Sequence, residues 1–145
     1  SSWDYIIMTN PITTTSTTQV DVSDLRLTLE NSKKYVVEGY LSAATIRSAN
    51  GVRIGINPSA AVETYYAIEV PTSATAIGYA YNTTNLAGSG VGNSLTDYYL
   101  VYIKALIITK TTGAATWVPT YSSEGAGGGA TDVAIGPSVI YYREY

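Results

Sequence analysis

The stretch Tyr98-Tyr99-Leu100-Val101-Tyr102-Ile103-Lys104-Ala105-Leu106-Ile107-Ile108-Thr109 decides the fold class, because it is apolar at nearly every position except Lys104. A short apolar run of this kind, bounded by turn residues, predicts a central strand covered on both faces. It is placed at the middle of the core.

The segments around it repeat with a period of two. In Tyr35-Val36-Val37-Glu38-Gly39-Tyr40-Leu41 the odd positions are apolar or small, and Glu38 falls on the other face. Successive side chains of a strand point to opposite sides, so this is the pattern of a half-buried strand. Val52, Ile54 and Ile56 alternate with Arg53, Gly55 and Asn57 in the same way. From Val62 to Val70 the wetter face carries Glu63, Tyr65 and Glu69. Pro71 ends that ladder because it has no N–H to donate.

Weaker strands are expected over 3–8, 20–29 with a break at Ser23-Asp24, 74–81, 115–121, 131–135 and 139–145. Turn signals separate them: Asn10-Pro11, Asn50-Gly51, Asn57-Pro58, the glycine-rich 88–93, Thr112-Gly113, glycines 125–129 and Gly136-Pro137. Many short strands with such punctuation predict an all-β chain, an antiparallel β-sandwich or barrel. No segment shows capped helical spacing, and no linker divides the chain, so residues 1–145 read as one domain. The expected core holds Tyr35, Val37, Leu41, Val52, Ile54, Ile56, Tyr66, Ile68, Leu100 and Ile107.

Composition narrows function by what it removes. The chain has 145 residues, no His and no Cys. The usual general base, thiolate chemistry, disulfides and nearly all zinc sites are therefore gone. The eight basic residues are scattered and the net charge is −3, which is no footprint for nucleic acid. Ser1-Ser2-Trp3-Asp4 shows no signal-peptide pattern, and no apolar run approaches the ~20 residues of a membrane-spanning helix. A soluble chain is expected, and a leader removed earlier stays open.

Carboxylates remain as the only plausible catalysts. Glu38, Glu63 and Glu69 are the candidates for a glycosidase-like pair, which needs two carboxyls ~5–9.5 Å apart across a cleft; solvated face charges explain them as well. Asp21-Val22-Ser23-Asp24 offers oxygens to a hard cation but lacks the glycine and terminal glutamate of a calcium loop, so a turn is the expectation. The glycines at 88–92 lack the Lys and Ser/Thr of a phosphate loop. Asn82-Thr83-Thr84 is a glycosylation sequon by pattern. No catalytic residue, cofactor or metal is expected.

What stands out is tyrosine: 14 Tyr and 2 Trp with no Phe, in a chain only 13% charged. Soluble domains usually carry about 25% charged residues. A ring with a hydroxyl suits half-buried faces and wet interfaces. Trp117 alternates with Pro119 and Tyr121, and Tyr65, Tyr79, Tyr81 and Tyr99 are candidates for a ring-lined face. These rings would contact either a glycan or another subunit, with core packing as the plain alternative.

From Tyr35 onward the order of features resembles a family of bacteriophage and virus structural proteins, the small β-sandwich domains of virion-surface, decoration and tail-associated proteins. The resemblance covers about three-quarters of the chain. It rests on Lys34-Tyr35-Val36-Val37-Glu38-Gly39-Tyr40-Leu41, on Asn50-Gly51-Val52-Arg53-Ile54-Gly55-Ile56-Asn57-Pro58, and on the Asp97-Tyr98 that opens the long apolar strand. Tyr121-Ser122-Ser123-Glu124-Gly125 and Gly136-Pro137-Ser138-Val139-Ile140 complete it. It implies a jelly-roll-like sandwich on the surface of a virus particle, commonly a homotrimer bound to capsid or tail proteins, with no catalytic residue to carry over.

The expected role is therefore a non-enzymatic virion module that assembles as a homo-oligomer. A carbohydrate- or receptor-binding module with a host-surface glycan as partner is the alternative, and a paired-carboxylate glycosidase a second. Two further expectations concern the ends. Residues 1–16 are expected to be either an extended arm reaching a neighbour or a disordered terminus, and the strand over 139–145 an unblocked sheet edge.

Overall fold

The computed structural model describes residues 2–47, 50–73, 75–81, 86–88, 94–125 and 131–145. In chain order the strands are β1 (Asp4–Met8), β2 (Ile12–Thr14), β3 (Val20–Asp21), β4 (Leu27–Leu29), β5 (Lys34–Thr45) and β6 (Val52–Pro58). They continue with β7 (Val62–Pro71), β8 (Ile77–Tyr81), β9 (Leu86–Gly88), β10 (Tyr99–Thr109), β11 (Ala115–Ser123) and β12 (Val133–Glu144). A 3-10 turn, Ser23–Leu25, makes the break expected between β3 and β4.

All pairings are antiparallel, and the strands form two sheets packed on each other. The seven-stranded sheet runs β1-β12-β5-β10-β7-β8, with β2 also on β12; the five-stranded sheet runs β3-β11-β6-β9, with β4 also on β11. Count β1 with β2, and β3 with β4, as single bent strands, and set aside the β7–β8 hairpin. The chain then threads the sheets as an eight-stranded jelly roll, two Greek keys closed on one core. The β7–β8 hairpin is an addition that widens the larger sheet beyond β10.

One core cluster joins both sheets. Eight of the ten expected core residues are buried: Tyr35, Val37, Leu41, Val52, Ile54, Ile56, Ile68 and Ile107. Tyr66 packs against the cluster only in part. Leu100 is a correction, since it is 59% exposed.

The reason is that β10 is central in its sheet but covered on one face alone. Tyr99, Val101, Ile103, Ala105 and Ile107 point inward, whereas Leu100 and Leu106 stand exposed. The strand buried on both faces is β11, where only Thr116 is part-exposed. Trp117 and Tyr121 fill its inner side. On its other side Thr120 donates to Gln19 Oε1 and Ser122 accepts from Gln19 Nε2 at 2.7 Å. The chain that carries Gln19 runs on beside β11 as β3, and its Val22 N–H continues that ladder with a bond to the Pro119 carbonyl at 2.9 Å.

Both ends of the chain depart from expectation. Gly136-Pro137 does not separate two strands; it is absorbed as a register irregularity between Ile135 and Ser138 within β12. Gly136 sits against the Tyr98 ring, where a Cβ would lie 2.6 Å from a ring carbon. β12 is not an edge, because β1 and β2 pair with it on one side and β5 on the other. The segment expected as a free arm supplies β1 and β2, and the Ser16 carbonyl accepts from Ser123 N–H at 2.7 Å.

Candidate functional site

Strand alternation places a second set of side chains on the outer face of the seven-stranded sheet, and the register arranges them in rows. One row reads Tyr5, Tyr141, Glu38, Lys104, Ala67 across β1, β12, β5, β10 and β7. The next reads Ile7, Val139, Tyr40, Tyr102, Glu69, Tyr79 and reaches β8. Leu106 stands between Val36 and Tyr65 in a third.

The rings touch one another across strands. Tyr40 and Tyr102 have centroids 5.1 Å apart, and Tyr141 lies 6.3 Å from Tyr40 and 6.3 Å from Tyr5. Arg143 stacks 4.9 Å over the Trp3 ring. Offset and edge-on ring pairs of this kind contribute about 0.5–1.5 kcal/mol beyond the area they bury, so the face is ordered rather than merely greasy. A groove of about 470 Å³ crosses it above Ala67, walled by Tyr65, Tyr102 and Leu106. A smaller hollow lies between Trp3, Glu38, Tyr40 and Tyr141.

Charge on this face is sparse but placed. Glu38 and Lys104 are cross-strand neighbours, yet among the described residues the salt bridges are Arg26–Asp21 at 2.9 Å and Lys33–Glu144 at 3.1 Å. The Tyr102 hydroxyl is held above the usual phenol range by burial first, then by Glu38 and the neighbouring Tyr40 and Glu69. Glu63 accepts a hydrogen bond from the Tyr65 hydroxyl and so raises that phenol as well.

The candidate rings from sequence separate into two groups. Tyr65 and Tyr79 are 49% and 53% exposed and lie on the outer face. Trp117 and Tyr121 do not: both are buried, and Trp117 Nε1 donates to Thr64 Oγ1 of the opposite sheet at 3.3 Å. They hold the sheets together and form no surface platform. Tyr99 is buried too. The Tyr81 side chain, the sequon at Asn82 and the glycine stretch beyond Gly88 lie outside the described residues.

Burial pushes the Tyr99 phenol up to about 12, with Glu124 adding to the rise and a backbone hydrogen bond at Val52 opposing it. A phenol raised above its ordinary value near 10 contributes fully to stability below that value and loses its contribution as pH climbs toward the folded-state value. Unfolding free energy should therefore fall by about 2–3 kcal/mol between pH 10 and 12 on account of this one group. Urea titrations of Tyr99→Phe and the parent chain at pH 9 and above pH 11 should show the parent losing more.

The carboxylates do not form a facing pair. Glu38, Glu63 and Glu69 share the outer face as expected, but the register sets Glu38 opposite Lys104 and Tyr141, Glu69 opposite Tyr102 and Tyr79, and Glu63 opposite Ile108. Asp21 is taken up by Arg26 and by Asn57 Nδ2 at 3.0 Å. Among the described residues no cluster of three acidic side chains could hold a metal ion, and no helix is long and apolar enough to cross a membrane.

The tyrosines that build the face, Tyr5, Tyr40, Tyr102 and Tyr141, were not among the sequence candidates. The signal was present in the run over β10, where Leu100, Tyr102 and Leu106 share the parity of its one charged residue, Lys104.

Fold and face together define a jelly-roll β-sandwich with exposed rings and leucines on the outer face of its larger sheet. No family model matches the sequence, and no curated protein matches it. Among solved structures the chain is similar to the tripod from the baseplate of bacteriophage Tuc2009, at 16% identity and a TM-score of 0.40, over 97% of this chain and 63% of that one. It is also similar to a chain of the T13 particle of infectious bursal disease virus, at 13% identity and a TM-score of 0.34, over 97% of this chain and 37% of that one. The Gx strain of infectious bursal disease virus gives 13% identity and a TM-score of 0.28, over 98% of this chain and 39% of that one. The chain thus spans less than two thirds of the length of each.

Proposed function

We propose that this chain is a non-enzymatic structural module of a virus particle, placed at the virion surface, that self-associates and joins capsid or tail proteins. The observation that carries the proposal is the outer face of the seven-stranded sheet, where rings and aliphatic side chains stand exposed on five of the six strands of the path β1-β12-β5-β10-β7-β8 and Tyr40 stands half-buried on β5. Contiguous apolar patches of this extent mark contact surfaces on soluble proteins. With only 13% charged residues the chain has little else to keep such a surface apart from a neighbour.

Jelly rolls serve as capsid subunits and as lectins, so the fold does not choose between them. The sequence resemblance to virion-surface domains favours the first, and it is also the source of three as the expected subunit number. The groove between Tyr65 and Tyr102 favours the second reading, a sugar-binding module.

The test is the mass of the purified chain by sedimentation equilibrium, with its co-sedimentation on particles of the virus that encodes it. An oligomer of three chains, or of six where two-fold and three-fold contacts combine, that binds particles is the expected result. A chain that stays monomeric, ignores particles and binds an oligosaccharide lost on Tyr65→Ala would replace it.

A further inference from the structure

The larger sheet offers a surface that is complementary to itself. Its path has three strands on each side of the line between β5 and β10: β1, β12 and β5 on one side, β10, β7 and β8 on the other. Glu38 and Lys104 flank that line in register, and neither is among the residues in a salt bridge. A two-fold axis lying in the interface, parallel to the strands and over this line, carries β5 of one copy onto β10 of the next. Glu38 then faces Lys104 of the second copy and Lys104 faces its Glu38.

The same operation matches shape. Tyr141 and Ala67 lie in the same row, each one strand outside the central pair. The exposed Tyr141 ring is therefore brought over the groove above Ala67 of the second copy, and Tyr40 is brought against its Tyr102. Because the axis follows the strands, the two sheets meet in the aligned arrangement. Six strands at ~4.8 Å and about 20 Å of strand length give a face of the order of 600 Å² before side-chain relief is counted. That approaches the ~800 Å² per partner of a standard stable interface.

We infer that a second copy of this chain covers this face, sheet against sheet, about a two-fold axis between Glu38 and Lys104. The inference rests on the self-association proposed above and names its contact. If three-fold contacts exist elsewhere on the molecule, the smallest closed assembly using both is a hexamer.

Charge exchange tests it. Glu38→Lys sets lysine against Lys104 of the second copy, and Lys104→Glu sets glutamate against its Glu38, so each alone should weaken self-association by about tenfold or more. An equimolar mixture of the two variants restores both pairs and should regain an affinity close to the parent's. Bulk attraction cannot imitate this, since the parent carries −3 and each exchange alters it by two units, leaving both variants negative. Far-UV circular dichroism and melting of each variant establish that it is folded. An oligomeric parent whose variants keep its mass, or a mixture that fails to recover, overturns the two-fold contact and leaves self-association standing. A monomeric parent overturns both, and oligosaccharide bound to the face of that monomer would name the occupant instead.

Discussion

Removing residues 1–16 should abolish the cooperative thermal transition of this protein, or leave it only as soluble aggregate. Those residues supply five register pairs from β1 and three from β2, all to β12. They also bury Met8 and pack Ile6 and Ile12 on the core. Net hydrogen bonds contribute about 0.5–1.5 kcal/mol each, and buried apolar side chains about 1.5–3 kcal/mol each. The loss is comparable with the 5–15 kcal/mol that holds a typical domain together. It would also turn β12 into a bare edge of Val, Ile and Tyr, the kind of strand that pairs with another chain. Differential scanning calorimetry decides the matter. If the truncated chain melts cooperatively near the parent's temperature, the segment is an arm after all.

Trp117→Ala should cost about 3–5 kcal/mol, the usual range for truncating a buried aromatic residue when the cavity cannot collapse. Trp117 has no accessible surface, and it lies on β11 of one sheet while its indole N–H bonds Thr64 on β7 of the other. The substitution therefore removes a contact that joins the sheets and leaves the Thr64 hydroxyl without its donor. Urea unfolding followed by circular dichroism should show the midpoint falling with little change in slope. A loss under about 0.5 kcal/mol, as for an ordinary surface site, would return Trp117 to the surface and revive a ring platform there. Conversely, any ligand binding lost in this variant needs a folded control, since an unfolded sandwich binds nothing.

Much of the sandwich was legible because strand periodicity is local. The alternation in 35–41 correctly assigned Val37 and Leu41 inward and Glu38 outward, and the set Glu63, Tyr65, Glu69 did share one face. Turn residues located most of the connections, including the break at Ser23-Asp24. Two short strands, β2 and β9, were missed, having three residues each and no pattern long enough to show a period. Gly136-Pro137 was read as a stop because both residues punctuate chains; at this site the ladder continues past them through a bulge.

The candidate site was legible only in part. Tyr65 and Tyr79 were named, whereas Trp117 and Tyr121 were placed with them on the strength of their residue type. A tryptophan alternating with a tyrosine on a strand looks the same whether that face meets water or a second sheet.

From the amino-acid order alone came the strand class, the absence of imidazole and thiol chemistry, and the two faces of each strand, all consequences of backbone geometry and of side chains a few residues apart. Which face is covered was decided by tertiary structure. β10 reads as apolar on both sides yet has one side open, because among the described residues no layer lies over the outer face of the larger sheet, while the plainer, hydroxyl-rich β11 is buried by the larger sheet on one side and has the Gln19 side chain bonded to Thr120 and Ser122 on the other. Burial depends on what distant segments bring to a surface, and no local pattern carries that information.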